Sequence, residues 1–191
     1  MIRTLVPHDS PILRTVCEKF DTAKPPFDPV EFAHDLAQTM ISHGALGLAA
    51  PQVGVPYRVI AVSSNPVGVL YNPIIVDRSS ETNTLEEGCL SFPGLILHVE
   101  RPRAIKVRYS LPNGEVVTKV FVDTTARIIC HEVDHLDGKT IIDVQPGLKR
   151  DFARKKWAKI VRHGIPVRKA PGVVDTAEMV DKVASLKRGD R

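Results

Sequence analysis

Five consecutive residues, His131-Glu132-Val133-Asp134-His135, constrain this chain more than any other stretch. On an α-helix, residues four apart stack one above the other on a single face. Two neutral imidazoles so placed chelate a divalent metal ion. Glu132, beside the first of them, is positioned to carry a proton to or from a water activated by that ion. The spacing therefore predicts a helix here, with Asp123 or Thr124 as its expected cap and Leu136-Asp137-Gly138 as its end.

Most of what precedes this helix reads as β-structure. Residues 57–62 are apolar and β-branched, and residues 67–71 and 74–76 are extended on either side of Asn72-Pro73. Ile105, Val107 and Tyr109 alternate with Lys106 and Arg108, the pattern of a half-buried strand. Pro112-Asn113-Gly114 turns that strand back into a return strand over 116–122. Ser10-Pro11 opens a short helix. Asp28-Pro29 opens a longer one, with Phe32, Leu36 and Met40 on its apolar face and Gly44 to stop it. A further helix is expected from about Gly147 to Val161, with Trp157 on its apolar side. Asp175-Thr176-Ala177-Glu178 opens a last short one. Strands first and the histidine helix after them give an α+β class: small antiparallel or mixed sheets packed around a central helix. Residues 1–163 are expected to form the catalytic domain. Residues 164–191 form a basic tail that begins with a Pro/Gly linker.

The 191 residues, 43% of them hydrophobic, suffice for one sizeable core. No apolar run is long enough to cross a bilayer, and the N-terminus lacks the long apolar stretch of a secretory signal. Three cysteines without such a signal point to a reducing compartment, and to packing or metal roles rather than disulfides. The formal charge of +4 is uneven: residues 149–191 carry 13 Lys+Arg against 5 Asp+Glu. A solvated helical face is the plain reading of that surplus. Contact with an RNA or membrane surface is the alternative.

The third ligand decides what kind of centre this is. Zinc peptidases with the same spacing take a Glu or His from further along the chain. Here the downstream candidates are His163 and Glu178, at or beyond Pro/Gly breaks in the basic region. Cys89 is the better candidate, because its thiolate with two imidazoles leaves a fourth position for water. A zinc endopeptidase would need a ligand after His135 and be indifferent to Cys89. A metal-dependent binding protein would have no use for Glu132.

Three ordered motifs carry a resemblance to the peptide deformylases. They are Gly47-Leu48-Ala49-Ala50-Pro51-Gln52-Val53-Gly54, Glu87-Gly88-Cys89-Leu90-Ser91 and His131-Glu132-Val133-Asp134-His135-Leu136-Asp137-Gly138. The resemblance covers roughly residues 1–156. It implies hydrolytic removal of the formyl group from the N-terminal formyl-methionine of new polypeptides, releasing formate. It also implies one divalent metal, naturally ferrous iron, replaceable by nickel, cobalt or zinc, in a bacterial-type cytoplasm or an organellar matrix. On this reading Cys89, His131 and His135 hold the metal and Glu132 is general base and acid. The Leu90 N–H and the Gln52 amide stabilise the oxyanion.

Gly47 is expected to let backbone approach the formyl-methionine, and Leu46 and Ile128 to line the pocket for its side chain. Glu87 and Arg127 are expected to pair at the pocket rim. The protein is expected to act as a monomer, with nascent chains as substrate and the basic C-terminal region as a ribosome contact. Two positions depart from the family pattern: Ala45 stands where a glycine is usual, and Cys130 where a glutamine is usual. The alanine methyl is expected to narrow the substrate channel or shift the loop. Helical geometry points Cys130 away from the metal face and into the core.

Overall fold

The computed structural model describes residues 1–63 and 68–166. The last predicted helix and most of the basic tail lie outside them. A 3-10 turn at Pro11–Arg14 leads to α1, Pro29–Ser42. Asp28 caps α1, its carboxylate accepting from the Val30 and Glu31 amides at 2.8 and 3.0 Å. Phe32, Leu36 and Met40 are buried along one stripe, as their spacing predicts.

Seven strands follow: β1 (Gly47–Ala49), β2 (Val59–Val62), β3 (Gly68–Arg78), β4 (Thr82–Cys89), β5 (Phe92–Pro102), β6 (Ala104–Ser110) and β7 (Val116–Val122). They make a five-stranded sheet in the order β1-β2-β3-β6-β7 and a separate β4-β5 hairpin. All named pairings are antiparallel. The helix α2, Asp123–Leu136, packs between the two sheets. Its apolar side, with Ala126, Ile129, Cys130, Val133 and Leu136, shares a core with Ile60, Val62, Ile105 and Val107 of the large sheet. A second core lies under α1, and a third joins the hairpin to α3, Gly147–His163, through Phe92, Leu95, Ala153 and Trp157. The α+β class with a central histidine helix is the architecture found.

Four local expectations change. β7 runs into α2 without a loop, so Val122 takes the cap position and no side chain caps the helix. Asp123 makes the reversal itself at φ +49°, in a left-handed conformation that Asp tolerates, and its carboxylate is held by Arg103 at 2.9 Å. The strand expected over 57–62 begins only at Val59; Tyr57 instead bridges to Glu18, and its ring packs edge-on against Phe20 and Phe27. The two extended pieces around Asn72-Pro73 are one strand with shifted register. Asn72 bends it at φ +50° while its side chain bonds the Phe20 N–H and C=O at 2.7 and 2.9 Å. The β4-β5 hairpin is an element for which the sequence carries no expectation. β4 is polar and lacks alternation, so its sequence hides a strand. α3 also runs two residues further than expected, to His163.

Candidate metal centre and cleft

Cys89 ends β4, and the two-residue turn Leu90-Ser91 returns the chain to Phe92. This places the Cys89 thiol against α2. The ligand atoms of Cys89, His131 and His135 lie within 4.8 Å of one another, with Cys89 Sγ 3.2 Å from His135 Nε2. His131 Nδ1 donates to Glu87 Oε2 at 3.0 Å, which leaves its Nε2 bare for a metal. Burial pushes the Cys89 thiol up, but the neighbouring imidazoles of His135 and His131 outweigh it and hold the group well below its ordinary range. The donor set of one thiolate and two imidazoles suits a divalent transition ion.

Glu87 is the hub beneath the centre. Arg101 grips it with Nε and Nη2, each at 3.0 Å, and reaches Asp134 with Nη1 at 2.6 Å. Arg127 adds a contact at 2.6 Å and also bonds the Val99 and Asn83 carbonyls at 2.8 Å. Burial opposes ionisation of Glu87, but hydrogen bonds from His131 and Arg101 hold its carboxyl down at about 2. The Glu87–Arg127 pair expected at the pocket rim thus exists, but underneath. Both residues border the cleft yet are buried, because Glu87 is drawn in by two guanidiniums and an imidazole. Sequence reasoning missed Arg101. Its signal is the register of the hairpin, which sets Arg101 opposite Asn83 on the strand that carries Glu87.

Glu132 is buried, and its Oε2 has no hydrogen-bond partner among the described residues. Burial pushes its carboxyl up to about 7, against the pull of the two imidazoles. Gly47 makes room for it: a Cβ at Gly47 would collide with the Glu132 carboxylate and with Ile128. Gly47 also borders the cleft, the side on which the sequence reading expects formyl-methionine to pass. Gln52 does two things at once. Its Oε1 accepts from the Ala49 N–H at 2.8 Å, while its Nε2 donates to Ser91 Oγ at 3.1 Å and lies 3.7 Å from Cys89 Sγ.

Cys89, His131, Glu132, Gln52 and Gly47 border a cleft of about 460 Å³, whereas His135 is not part of its lining. Ile128 is its buried apolar wall, and Leu46 stands 58% exposed at its mouth. Ala45 and Leu90 border it as well. Two strand edges unpaired among the described residues flank it, since there β1 ends the large sheet and β4 pairs only with β5. Cys130 lies in the core, where burial pushes its thiol up to about 11. His163 is exposed at the end of α3 and bonds the Lys159 carbonyl, so it takes no part in the centre. Glu178 lies outside the described residues.

The family model for polypeptide deformylase matches residues 2–151. The chain belongs to that family. Peptide deformylases are metal-dependent hydrolases that remove the formyl group from N-terminal formyl-methionine. A peptide deformylase of Pseudothermotoga lettingae is 42% identical over 133 residues, which span 70% of this chain and 78% of that one. One of Bartonella tribocorum is 40% identical over 169 residues, 83% of this chain and 92% of that one. Among solved structures, the class I type b peptide deformylase of Acinetobacter baumannii with Met-Ala-Ser bound matches with a TM-score of 0.71. It is 33% identical over 76% of this chain and 99% of that one. No helix among the described residues is long and apolar enough to cross a membrane.

Proposed function

We propose that this deformylase works with Cys89, His131 and His135 as ligands of one divalent metal, and with Glu132 as the group that moves the proton. The observation that carries the reading is the position of Glu132. It is a buried carboxylate with an oxygen unpartnered among the described residues, one residue from a proposed ligand, on the wall of the cleft that Cys89 and His131 also border. A bound divalent ion would supply Lewis-acid polarisation of the formyl carbonyl and acidify the attacking water. Ferrous iron is the proposed native ion, with zinc, nickel or cobalt as substitutes.

Glu132 takes the proton from that water and delivers it to the departing amine nitrogen, so that formate and a free N-terminus result. Its raised carboxyl is suited to both directions of transfer near neutral pH. The Gln52 Nε2 and the Leu90 N–H are the proposed donors to the oxyanion. Glu87 fixes the tautomer of His131 through Nδ1, with Arg101 and Arg127 holding Glu87 in place.

The proposed substrate is an extended formyl-methionyl peptide lying between the free edges of β1 and β4, with the methionine side chain against Ile128 and Leu46. Gly47 borders that path while leaving Glu132 its place. Residues 1–163 form the proposed catalytic domain, with residues 164–191 as an appended tail. Nascent chains in a bacterial-type cytoplasm are the proposed source of substrate. α3 carries a run of exposed cations, including Lys149, Arg154, Lys155 and Lys159, which favours contact with ribosomal RNA by a monomeric enzyme.

The test is formate release from formyl-Met-Ala-Ser by protein purified without oxygen and loaded with ferrous iron. Wild type is expected to release formate, and Cys89→Ser and Glu132→Ala to release little or none. Cleavage that survives Glu132→Ala would remove the proton-transfer role. Cleavage that survives Cys89→Ser with metal retained would remove the thiolate ligand.

A further inference from the structure

We propose that the cleft selects an apolar side chain at the residue following the formyl-methionine, and that Ile96 sets this preference. The inference rests on the deformylase reading and adds a substrate class to it.

The cleft mouth is unusual in being exposed and aliphatic. Leu46, Leu85 and Ile96 are 58%, 50% and 42% exposed, and all three border it. They come from three different segments, so no single strand pattern accounts for them.

The hairpin register decides which of them meets which part of a peptide. Gly88 pairs with Ile96 and Glu86 with His98, so these four residues share one face of the hairpin, and all four are exposed. Glu87 and Cys89 belong to the opposite face, toward the core. Side chains of an extended peptide alternate between faces. A peptide along the free edge of β4 that sends its methionine inward to Ile128 therefore sends its next side chain outward, onto the Gly88–Ile96 face.

There the peptide meets a prepared surface. Gly88 offers bare backbone, and Ile96 lies across it: a Cβ on Gly88 would come 3.1 Å from Ile96 Cδ1. The Ile96 carbonyl accepts from Lys156 Nζ at 2.7 Å, which ties β5 to α3 at that residue. The charged group bordering the cleft on this face is Glu86, 3.9 Å from His98 Nε2. An aliphatic or aromatic side chain buries surface against Ile96. An aspartate there would face an aliphatic wall and a second carboxylate.

The experiment measures kcat/KM for formyl-Met-Xaa-Ser peptides with Xaa as Leu, Phe, Ala or Asp, using wild type, Ile96→Ala and Ile96→Lys loaded with the same metal. In wild type, Leu and Phe are expected to exceed Asp by about tenfold, equivalent to about 1.4 kcal/mol, mainly through KM. Ile96→Ala is expected to bring Leu and Asp to within about threefold. Ile96→Lys is expected to invert the order in favour of Asp. Circular dichroism checks that both variants fold, and the wild-type series stands without them. Equal kcat/KM for Leu, Phe and Asp in wild type overturns the inference, as does a preference that both variants leave unchanged. Failure of wild type to release formate from any peptide of the series, Ala included, would overturn the deformylase reading itself.

Discussion

A Cβ at Gly47 would occupy the space that the Glu132 carboxylate and Ile128 fill, so the bare backbone of this glycine keeps the proposed proton carrier within the cleft. Gly47→Ala is therefore expected to lower kcat about 100-fold, the scale of a displaced general acid–base group. Metal content should stay at the wild-type level, because the atoms nearest that methyl belong to Glu132 and Ile128. Side-by-side kcat and metal-to-protein ratios check this; an unchanged kcat would mean that the carboxylate works equally well from another rotamer. At this scale much was legible from the sequence. His131 and His135 are brought together by helical spacing alone, so their meeting needs no knowledge of the tertiary fold. The Gly47–Glu132 contact was not legible, since it joins residues 85 apart through the packing of β1 on α2.

The β4-β5 hairpin and α2 meet through Arg101, a buried guanidinium bonded to Glu87 on β4 and to Asp134 on α2. Arg101→Met keeps much of the volume but leaves two carboxylates short of a partner. It is expected to destabilise the fold by about 3 kcal/mol, as breaking a buried ion pair does. It should also weaken metal affinity by about tenfold or more through the slackened Glu87–His131 bond. Urea unfolding of the metal-free protein reads the first effect, and chelator competition on the loaded protein reads the second. Loss of stability with metal affinity unchanged would confine Arg101 to a structural role. The elements themselves were unequally legible. β6, β7 and α1 declare themselves through alternation, a turn dipeptide or an N-cap. β4 does not, because Thr82, Asn83, Thr84, Glu86 and Glu87 deny it an apolar face, and its pairing comes from the partner strand.

Among the described residues two sheets meet at the central helix α2, and their junction is the proposed metal centre. Cys89 belongs to the hairpin, which packs on α3, and His131 and His135 belong to α2, whose apolar side packs on the large sheet. A metal held by all three joins the two cores at one point. An ion that binds the native state and not the unfolded chain stabilises by mass action, about 4 kcal/mol at a free concentration 1,000 times its Kd. Stripping the metal with a chelator is therefore expected to lower the melting temperature, and adding back a divalent ion to restore it. Hydrogen exchange should quicken first around Leu90-Ser91, where the hairpin loses its tie to α2, while α1, over its separate core, keeps its protection. Cys89→Ala serves as the control. It should melt near the stripped wild type and respond little to added metal, because two imidazoles on one helix do not bridge the sheets. A metal-dependent shift of full size in that variant would show that the ion stabilises α2 alone, and that the hairpin is fixed to the rest by Arg101 and Arg127 without it.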